Sequence, residues 1–242
     1  MSIVHAIILG IVQGITEFLP ISSSGHLIIV ETLLGLQVEE LKDFDIALHV
    51  GTLLAILIYF RRDLLNVKWW PLLILGSVPA AFIGFLFEDQ IDALFRNGIS
   101  VTLIMIGVGL LFFIPQRTNN KPLTPLRALL IGCAQAFAII PGVSRSGSTL
   151  FTAMQLGMNR EEAARFSFLL GAIAIAGAGL LKALDVEALT VEIPILAAGF
   201  VSAFVSGLLV VHFLLRFLKK HGLQVFGVYR ILAGLLFLWI LY

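Results

Sequence analysis

Apolar residues in this chain come in long unbroken runs, not in the alternation of a half-buried strand or the 3.6-residue stripe of a surface helix. Six runs, at about 44–60, 69–87, 99–114, 163–181, 193–215 and 223–242, have or approach the roughly 20 residues that cross a bilayer core. Each predicts a transmembrane helix. Two further apolar runs, 3–36 and 126–158, are broken in their middles by Pro, Ser and Gly. Short apolar pieces on either side of such a break form a helical hairpin that enters and leaves on one side, because lipid-exposed irregular backbone is not tolerated. The pattern predicts an all-α polytopic membrane protein with six transmembrane helices plus two re-entrant helical hairpins.

The same pattern occurs twice. At an offset of 122, Gly10 and Gln13 meet Gly132 and Gln135, and Ser22, Ser24 and Gly25 meet Ser144, Ser146 and Gly147. At 123, Gly76, Val78, Ala80 and Gly84 meet Gly199, Val201, Ala203 and Gly207, and at 125 Gly109 to Phe112 meet Gly234 to Phe237. The order of these matches along the chain points to a duplicated unit, repeat 1 at about 1–120 and repeat 2 at about 121–242, within a single membrane domain, 1–242. Three crossings per unit place the two halves in opposite orientations. Matched breaks in an inverted repeat are the best pointer in a sequence to a binding site near the membrane midplane.

Composition agrees with the pattern: 59% of residues are hydrophobic and 13% charged, with a mean hydropathy of +1.03. The net charge of +1 makes no case for nucleic acid, but its placement is informative. Arg61, Arg62, Lys68, Arg117, Lys121, Arg127, Arg160, Arg165, Arg216, Lys219 and Lys220 fall in alternate connections. The other connections hold Glu39, Glu40, Asp43, Glu88, Asp89, Asp92, Asp185, Glu187 and Glu192 against only Lys42, Arg96 and Lys182. By the positive-inside rule the basic connections face the cytoplasm, and both termini are expected outside. The N-terminal run lacks a basic n-region and carries Glu17 where cleavage would begin, so it is read as part of the mature protein. A lone Cys133 builds neither a disulfide framework nor a thiolate metal site and reads as a small core residue.

The chemistry-bearing residues gather in the two breaks. The first runs from Gln13 through Glu17, Pro20, Ser22, Ser23, Ser24 and Gly25 to His26, and the second from Pro141 through Ser144, Arg145, Ser146, Gly147 and Ser148 to Thr149. Ionisable side chains within apolar segments are functional candidates by default, because each is costly there unless paired or hydrated. Hydroxyls, backbone amides at a helix start and an Arg fork together suit phosphate oxygens. His49 and His212, within helices, read as satisfied core histidines, and Arg230, about two turns into the last helix, as a residue that snorkels to the cytoplasmic surface.

With both segments in view, the chain resembles the undecaprenyl-diphosphate phosphatases, also called bacitracin-resistance phosphatases. Glu17-Phe18-Leu19-Pro20-Ile21-Ser22-Ser23-Ser24-Gly25-His26 and Pro141-Gly142-Val143-Ser144-Arg145-Ser146-Gly147-Ser148-Thr149 match the two family signatures, and the likeness extends over essentially the whole chain. The resemblance implies a multi-pass enzyme of the bacterial cytoplasmic membrane, its active site facing the periplasm. It would hydrolyse undecaprenyl diphosphate to the monophosphate carrier used in cell-wall synthesis and so confer bacitracin resistance. By the same resemblance Glu17, Ser22, Ser23 and His26 belong to the active site, while Ser144, Arg145, Ser146 and Thr149, with Ser24 and Gly25, hold the diphosphate. An acidic residue often stands four before the Glu in that family; here it is Gln13, which weakens a two-carboxylate site for Mg²⁺ or Ca²⁺. Glu17 remains the expected metal ligand.

A helix restarting after Pro20 and Ile21 would set Ser23 and His26 three apart on one face, the spacing of a nucleophile and its base. Ser23 is the expected nucleophile, His26 its acid/base and Glu17 the partner of His26 or a metal ligand; attack by His26 or by water stays open. Small residues Gly76, Gly84, Gly199 and Gly207 would make room for the prenyl tail. The competing function is a membrane transporter or lipid-carrier flippase, since inverted repeats with midplane breaks also build transporters. The expected partners are the polyprenyl diphosphate substrate and membrane lipids, with a homodimer left open.

Overall fold

The computed structural model describes residues 1–37, 41–95, 97–116, 119–184 and 191–241. Glu39, Glu40, Arg96, Arg117, Asp185 and Glu187 lie outside the described residues, as do the side chains of Lys42, Asp43 and Lys182. Every regular element among the described residues is helical: α1 Ile3–Phe18, α2 Ser23–Leu33, α3 Lys42–Tyr59, α4 Arg61–Leu64, a 3₁₀ turn Val67–Trp69, α5 Trp70–Phe95, α6 Gly98–Leu111, α7 Pro125–Phe137, α8 Arg145–Gln155, α9 Arg160–Leu184, α10 Ile193–Leu218 and α11 Gln224–Leu241. The segments Val67–Phe95, Arg160–Leu181 and Ile193–Leu218 are long and apolar enough to cross a membrane. Phe85 and Trp239 are 77% and 78% exposed on their helices, which water would penalise and lipid does not. The protein is an all-α membrane protein.

Local chemistry sets the ends of the short helices. Ser2 caps α1 by accepting from the His5 amide at 3.2 Å, and Leu19, held extended before Pro20, ends it. Thr124 caps α7 with Pro125 at the first helical position, where proline's missing donor costs nothing. α2 and α8 restart alike: Ser22 and Ser144 are N-caps at positive φ, 75° and 78°, and their hydroxyls accept from the Gly25 and Gly147 amides at 3.4 and 3.2 Å. A non-glycine residue in that region costs roughly 1–3 kcal/mol, so both tips carry backbone strain at positions 122 apart.

Close glycine contacts fix how each hairpin sits. Gly10 of α1 lies so near α10 that an added Cβ would be 2.4 Å from the Gly199 carbonyl oxygen, and Gly14 repeats this with Ala203 and Gly207. Contacts advance in step along the two helices, so α1 runs parallel to α10. Gly132 of α7 lies equally close to Gly76 of α5, and Ile139 further along reaches Gly84, so α7 runs parallel to α5. Small residues let backbones approach this way in membranes. Because α5 and α10 run in opposite directions, the two hairpins enter from opposite ends and meet at their tips.

The expected tail groove is corrected by the same contacts. Gly199 and Gly207 are filled by Phe44 and Phe18, and Gly76 by α7 and Leu170; their lack of a side chain serves helix packing. Cys133 is exposed on α7 and not in the core. Charge segregation by end is visible. Arg165 pairs with Asp63 at 3.0 Å and Lys219 with Glu161 at 3.2 Å, the Gln116 side-chain carbonyl accepts from the Leu223 amide at 3.4 Å, and the Gly157 carbonyl accepts from the Lys121 amide at 2.9 Å. These bonds gather the basic connections at one end of the bundle.

Candidate active site

The hairpin tips touch through polar groups. Ser146 Oγ donates to the Leu19 carbonyl oxygen at 3.1 Å, and the Arg145 guanidinium donates to Glu17 Oε1, joining α8 of one hairpin to α1 of the other. Glu17 is 7% exposed and collects further donors on Oε2: Ser23 Oγ at 2.7 Å and Gln13 Nε2 at 3.0 Å. His49 Nε2 of α3 stands 3.6 Å from the same oxygen. A buried carboxylate is costly unless hydrogen-bonded and paired. Here a cation, a hydroxyl and an amide meet that requirement, and the fold thereby aligns Ser23 with a proton acceptor.

These groups form the floor of a cavity of about 890 Å³ lined by Glu17, Ser22, Ser23, Ser24, Ser144 and Arg145. Its walls come from α5, α7 and α9, with Val78, Phe82, Phe85 and Ile173 among the apolar residues, and Glu88 and Asp92 stand further along α5. Phe82 is 61% exposed, so the wall formed by α5 borders the lipid-facing surface. Of the glycines expected to accommodate a tail, Gly84 alone lines this space. Gln135 of α7 also lines it; it is 2% exposed, and neither side-chain amide atom has a protein partner.

A family described as "Bacitracin resistance protein BacA" matches residues 6–236. The chain is 45% identical to an undecaprenyl-diphosphatase of Pelobacter propionicus, over 97% of this chain and 95% of that one. It is 42% identical to an undecaprenyl-diphosphatase of Elusimicrobium minutum, over 98% and 97%, and 36% identical to one of Methanosphaera stadtmanae, over 98% and 97%. The chain belongs to the BacA family.

Within this BacA-family chain, the Ser23–His26 pairing expected from helical spacing is absent. The His26 ring turns away from the cavity: Nδ1 lies 2.7 Å from the Ser22 carbonyl oxygen and Nε2 2.8 Å from the Tyr229 hydroxyl, with the Tyr229 ring stacked at 5.7 Å. A ring nitrogen facing a carbonyl must donate, so Nδ1 carries the proton and Nε2 accepts from Tyr229. Glu17 is accordingly the partner of Ser23 and not of His26. Three residues apart on a helix is adjacency only when both side chains point the same way, and Ser22's positive-φ turn gives His26 a carbonyl to bind instead.

Sequence reasoning missed His49 and misplaced Arg230. His49 could have been found by the rule applied to Glu17, that an ionisable group inside a spanning run is a functional candidate. Arg230 does not snorkel; it is fully buried and donates to the carbonyls of Met105 at 3.0 Å, Pro20 at 3.3 Å and Gly142 at 2.6 Å. One guanidinium thus ties both hairpin tips to α6. His212 is exposed and near the Tyr59 hydroxyl, at 3.3 Å, so the core reading fails for it too.

Ser22 and Ser144 cap their helices, Ser24 Oγ is 3.3 Å from Ser22 Oγ, and Thr149 Oγ1 donates to the Arg145 carbonyl at 2.8 Å. Gly25, Ser146 and Thr149 are buried behind the floor, where they hold the tips and are not among the cavity-lining residues. An Mg²⁺ or Ca²⁺ bridging Glu17 and substrate phosphates would draw one carboxylate from the protein and its other ligands from substrate and water. Both Glu17 oxygens are engaged by protein donors, and the described residues contain no group of three His, Cys, Asp or Glu side chains that could hold a metal.

Proposed function

We infer that this chain hydrolyses undecaprenyl diphosphate to undecaprenyl phosphate and inorganic phosphate. The observation that carries the reading is the Glu17–Ser23–Arg145 cluster in a cavity whose walls include the apolar Val78, Phe82, Phe85 and Ile173. A diphosphate headgroup needs a cation and hydroxyls, whereas a prenyl chain needs apolar walls, and the cavity is lined by both. The names of the relatives agree with this, and the family's name implies resistance to bacitracin.

The placement supports the following course. Arg145 grips oxygens of the distal phosphoryl group, its planar fork matched to two of them. Ser23 Oγ attacks that phosphorus as its proton passes to Glu17, and the bridging P–O bond breaks, releasing undecaprenyl phosphate. Water then attacks the phosphoserine, the phosphate leaves, and Ser23 Oγ recovers the proton from Glu17. Charge developing on the transferred group is offset by Arg145 and by the amides at the start of α8. Gln135 supplies an amide donor to the headgroup from the side of α7.

The cavity and the acidic end of the bundle face the periplasm in this reading, and the basic end faces the cytoplasm, as the positive-inside rule requires. Six crossing helices and two re-entrant hairpins, related by an inverted repeat, complete the arrangement. The parallel pairing of α1 with α10 and of α7 with α5 supports it. The test is phosphate release from a prenyl diphosphate by purified protein in detergent, where a transporter has no compartments to work between. A quench within one turnover should trap phosphate on Ser23. Release without any phosphoserine would move the attack to water and leave Ser23 as its orienting group.

A further inference from the structure

A second polar cavity, of about 500 Å³, lies at the basic end. It is bounded by the C-terminal end of α3, by α4, by the first turns of α9 and by the last turns of α10. Its cations are Arg62, Arg165, Arg216 and Lys219, and its acids Asp63 and Glu161. Arg165 bonds to both acids, and Lys219 to Glu161, so the acids are already engaged. Arg62 and Arg216 have no carboxylate within salt-bridge distance among the described residues and project, exposed, at the rim. The cavity therefore presents two guanidinium groups beyond those its own carboxylates balance.

Depth in the membrane narrows what these groups meet. Leu65 and Val67, on the connection beside the cavity, are 81% and 74% exposed, and Trp70 is 39% exposed, with its indole donating to the Leu64 carbonyl at 3.0 Å. Exposed aliphatics beside a hydrogen-bonded tryptophan mark the headgroup level of a bilayer. The repeat offset adds a geometric relation: Tyr59 and Leu215, in this cavity, correspond at 122 and 123 to Leu181 and Asp92, which line the active-site cavity. The basic cavity stands where the fold's duplication puts the counterpart of the active-site mouth, and its rim carries arginines where that mouth carries the acids Glu88 and Asp92, though not at matching positions.

We propose that this cavity binds a phosphate-bearing anion, through Arg62 and Arg216, at the end of the bundle opposite the active site. Two exposed guanidinium forks at headgroup depth suit a phosphate ester better than a carboxylate, because each fork can take two of its oxygens. The proposal is independent of the hydrolase reading, since neither arginine contacts the active-site cavity.

Purified protein is exchanged into mixed micelles containing dioleoyl phosphatidic acid, dioleoyl phosphatidylcholine or no added lipid, and separately titrated with inorganic phosphate. Retained lipid is counted by native mass spectrometry, and thermal midpoints are recorded for the wild type and for Arg62→Gln/Arg216→Gln. Prenyl diphosphate hydrolysis should be unchanged in the double variant, which shows that it is folded. Phosphatidic acid should be retained by the wild type and its apparent affinity should fall at least about tenfold in the double variant, the scale expected for losing two charge-assisted contacts. Phosphatidylcholine should not be retained. Stabilisation by inorganic phosphate with the same arginine dependence identifies the ligand as free phosphate; its absence alongside phosphatidic acid retention identifies a lipid headgroup. Binding of either anion at wild-type strength in the double variant, or no binding to the wild type, overturns the proposal.

Discussion

Ser23 and Ser24 are neighbours with the same side chain, and the fold gives them different partners. Ser23 donates to buried Glu17, whereas Ser24 stands beside the capping hydroxyl of Ser22. Ser23→Ala should fold and lose about 10²–10⁴ of turnover, the span of an aligned acid-base step, while Ser24→Ala should keep turnover within a few-fold; equal losses in a phosphate-release assay would mean that the Glu17 contact is not what matters. Arg145→Lys keeps the charge but not the fork, and removing one such donor typically costs about 10²–10³ in kcat. Near wild-type kinetics there would show that a point charge suffices. Gln135→Leu removes a buried amide without a protein partner, so KM should rise several-fold while thermal stability stays level or improves. Loss of stability instead would mark Gln135 as structural. That Glu17, Ser23 and Arg145 come together was legible in the sequence because the two matched breaks carry them. The orientations of His26, His49 and Arg230 were not, since each is decided by neighbours 32 to 210 positions away or by a local turn whose positive φ no composition reveals.

Helices α1 and α7 end at the polar breaks and lie along the long helices α10 and α5, which support them. The breaks at Pro20 and Pro141 made the hairpins readable from sequence, and the glycines at offsets of 122 and 123 suggested equivalent elements. What the sequence did not disclose is that α1 packs on α10, from the other half of the chain, and that Gly10, Gly14, Gly76, Gly132 and Gly199 serve helix contacts while Gly84 alone of the expected four lines the cavity. Gly132→Val should be strongly destabilising, because its Cβ would sit 2.1 Å from the Gly76 carbonyl oxygen, whereas Gly177→Ala, with nothing within 4 Å of its added Cβ, should be neutral; thermal midpoints in detergent compare them directly. Arg230 holds the elements from the inside. Arg230→Gln leaves up to three carbonyls without their donor, at about 1–3 kcal/mol each when buried, and should lower the midpoint and the turnover together as the tips lose their fixed separation. A variant with full stability and activity would show that the tips are set by the Ser22 and Ser144 caps alone.

At the scale of the whole molecule, the two hairpins enter from opposite ends, and basic and acidic connections are segregated to those ends. The alternating charge made this segregation legible before any coordinate, because loop charge is a property of sequence order alone. The three-dimensional joining of the basic ends by Arg165–Asp63 and Lys219–Glu161 was not legible, as it depends on which helices become neighbours. Single cysteines on a Cys133→Ser background test the orientation, and the substitution is needed because Cys133 is itself exposed. Lys68 and Lys220 are exposed at the basic end, and Ser2 and Glu192 are exposed at the opposite ends of α1 and α10. In intact cells a membrane-impermeant maleimide should label Ser2→Cys and Glu192→Cys and spare Lys68→Cys and Lys220→Cys, with all four labelled once the membrane is opened. The parallel course of α1 and α10 makes Ser2 and Glu192 a paired control: both lie at the starts of neighbouring helices and must react on the same side. The reverse pattern would place the active-site cavity toward the cytoplasm, and the enzyme would then act on diphosphate delivered from within the cell. Labelling of Ser2 and Glu192 from different sides would contradict the packing of α1 against α10 itself.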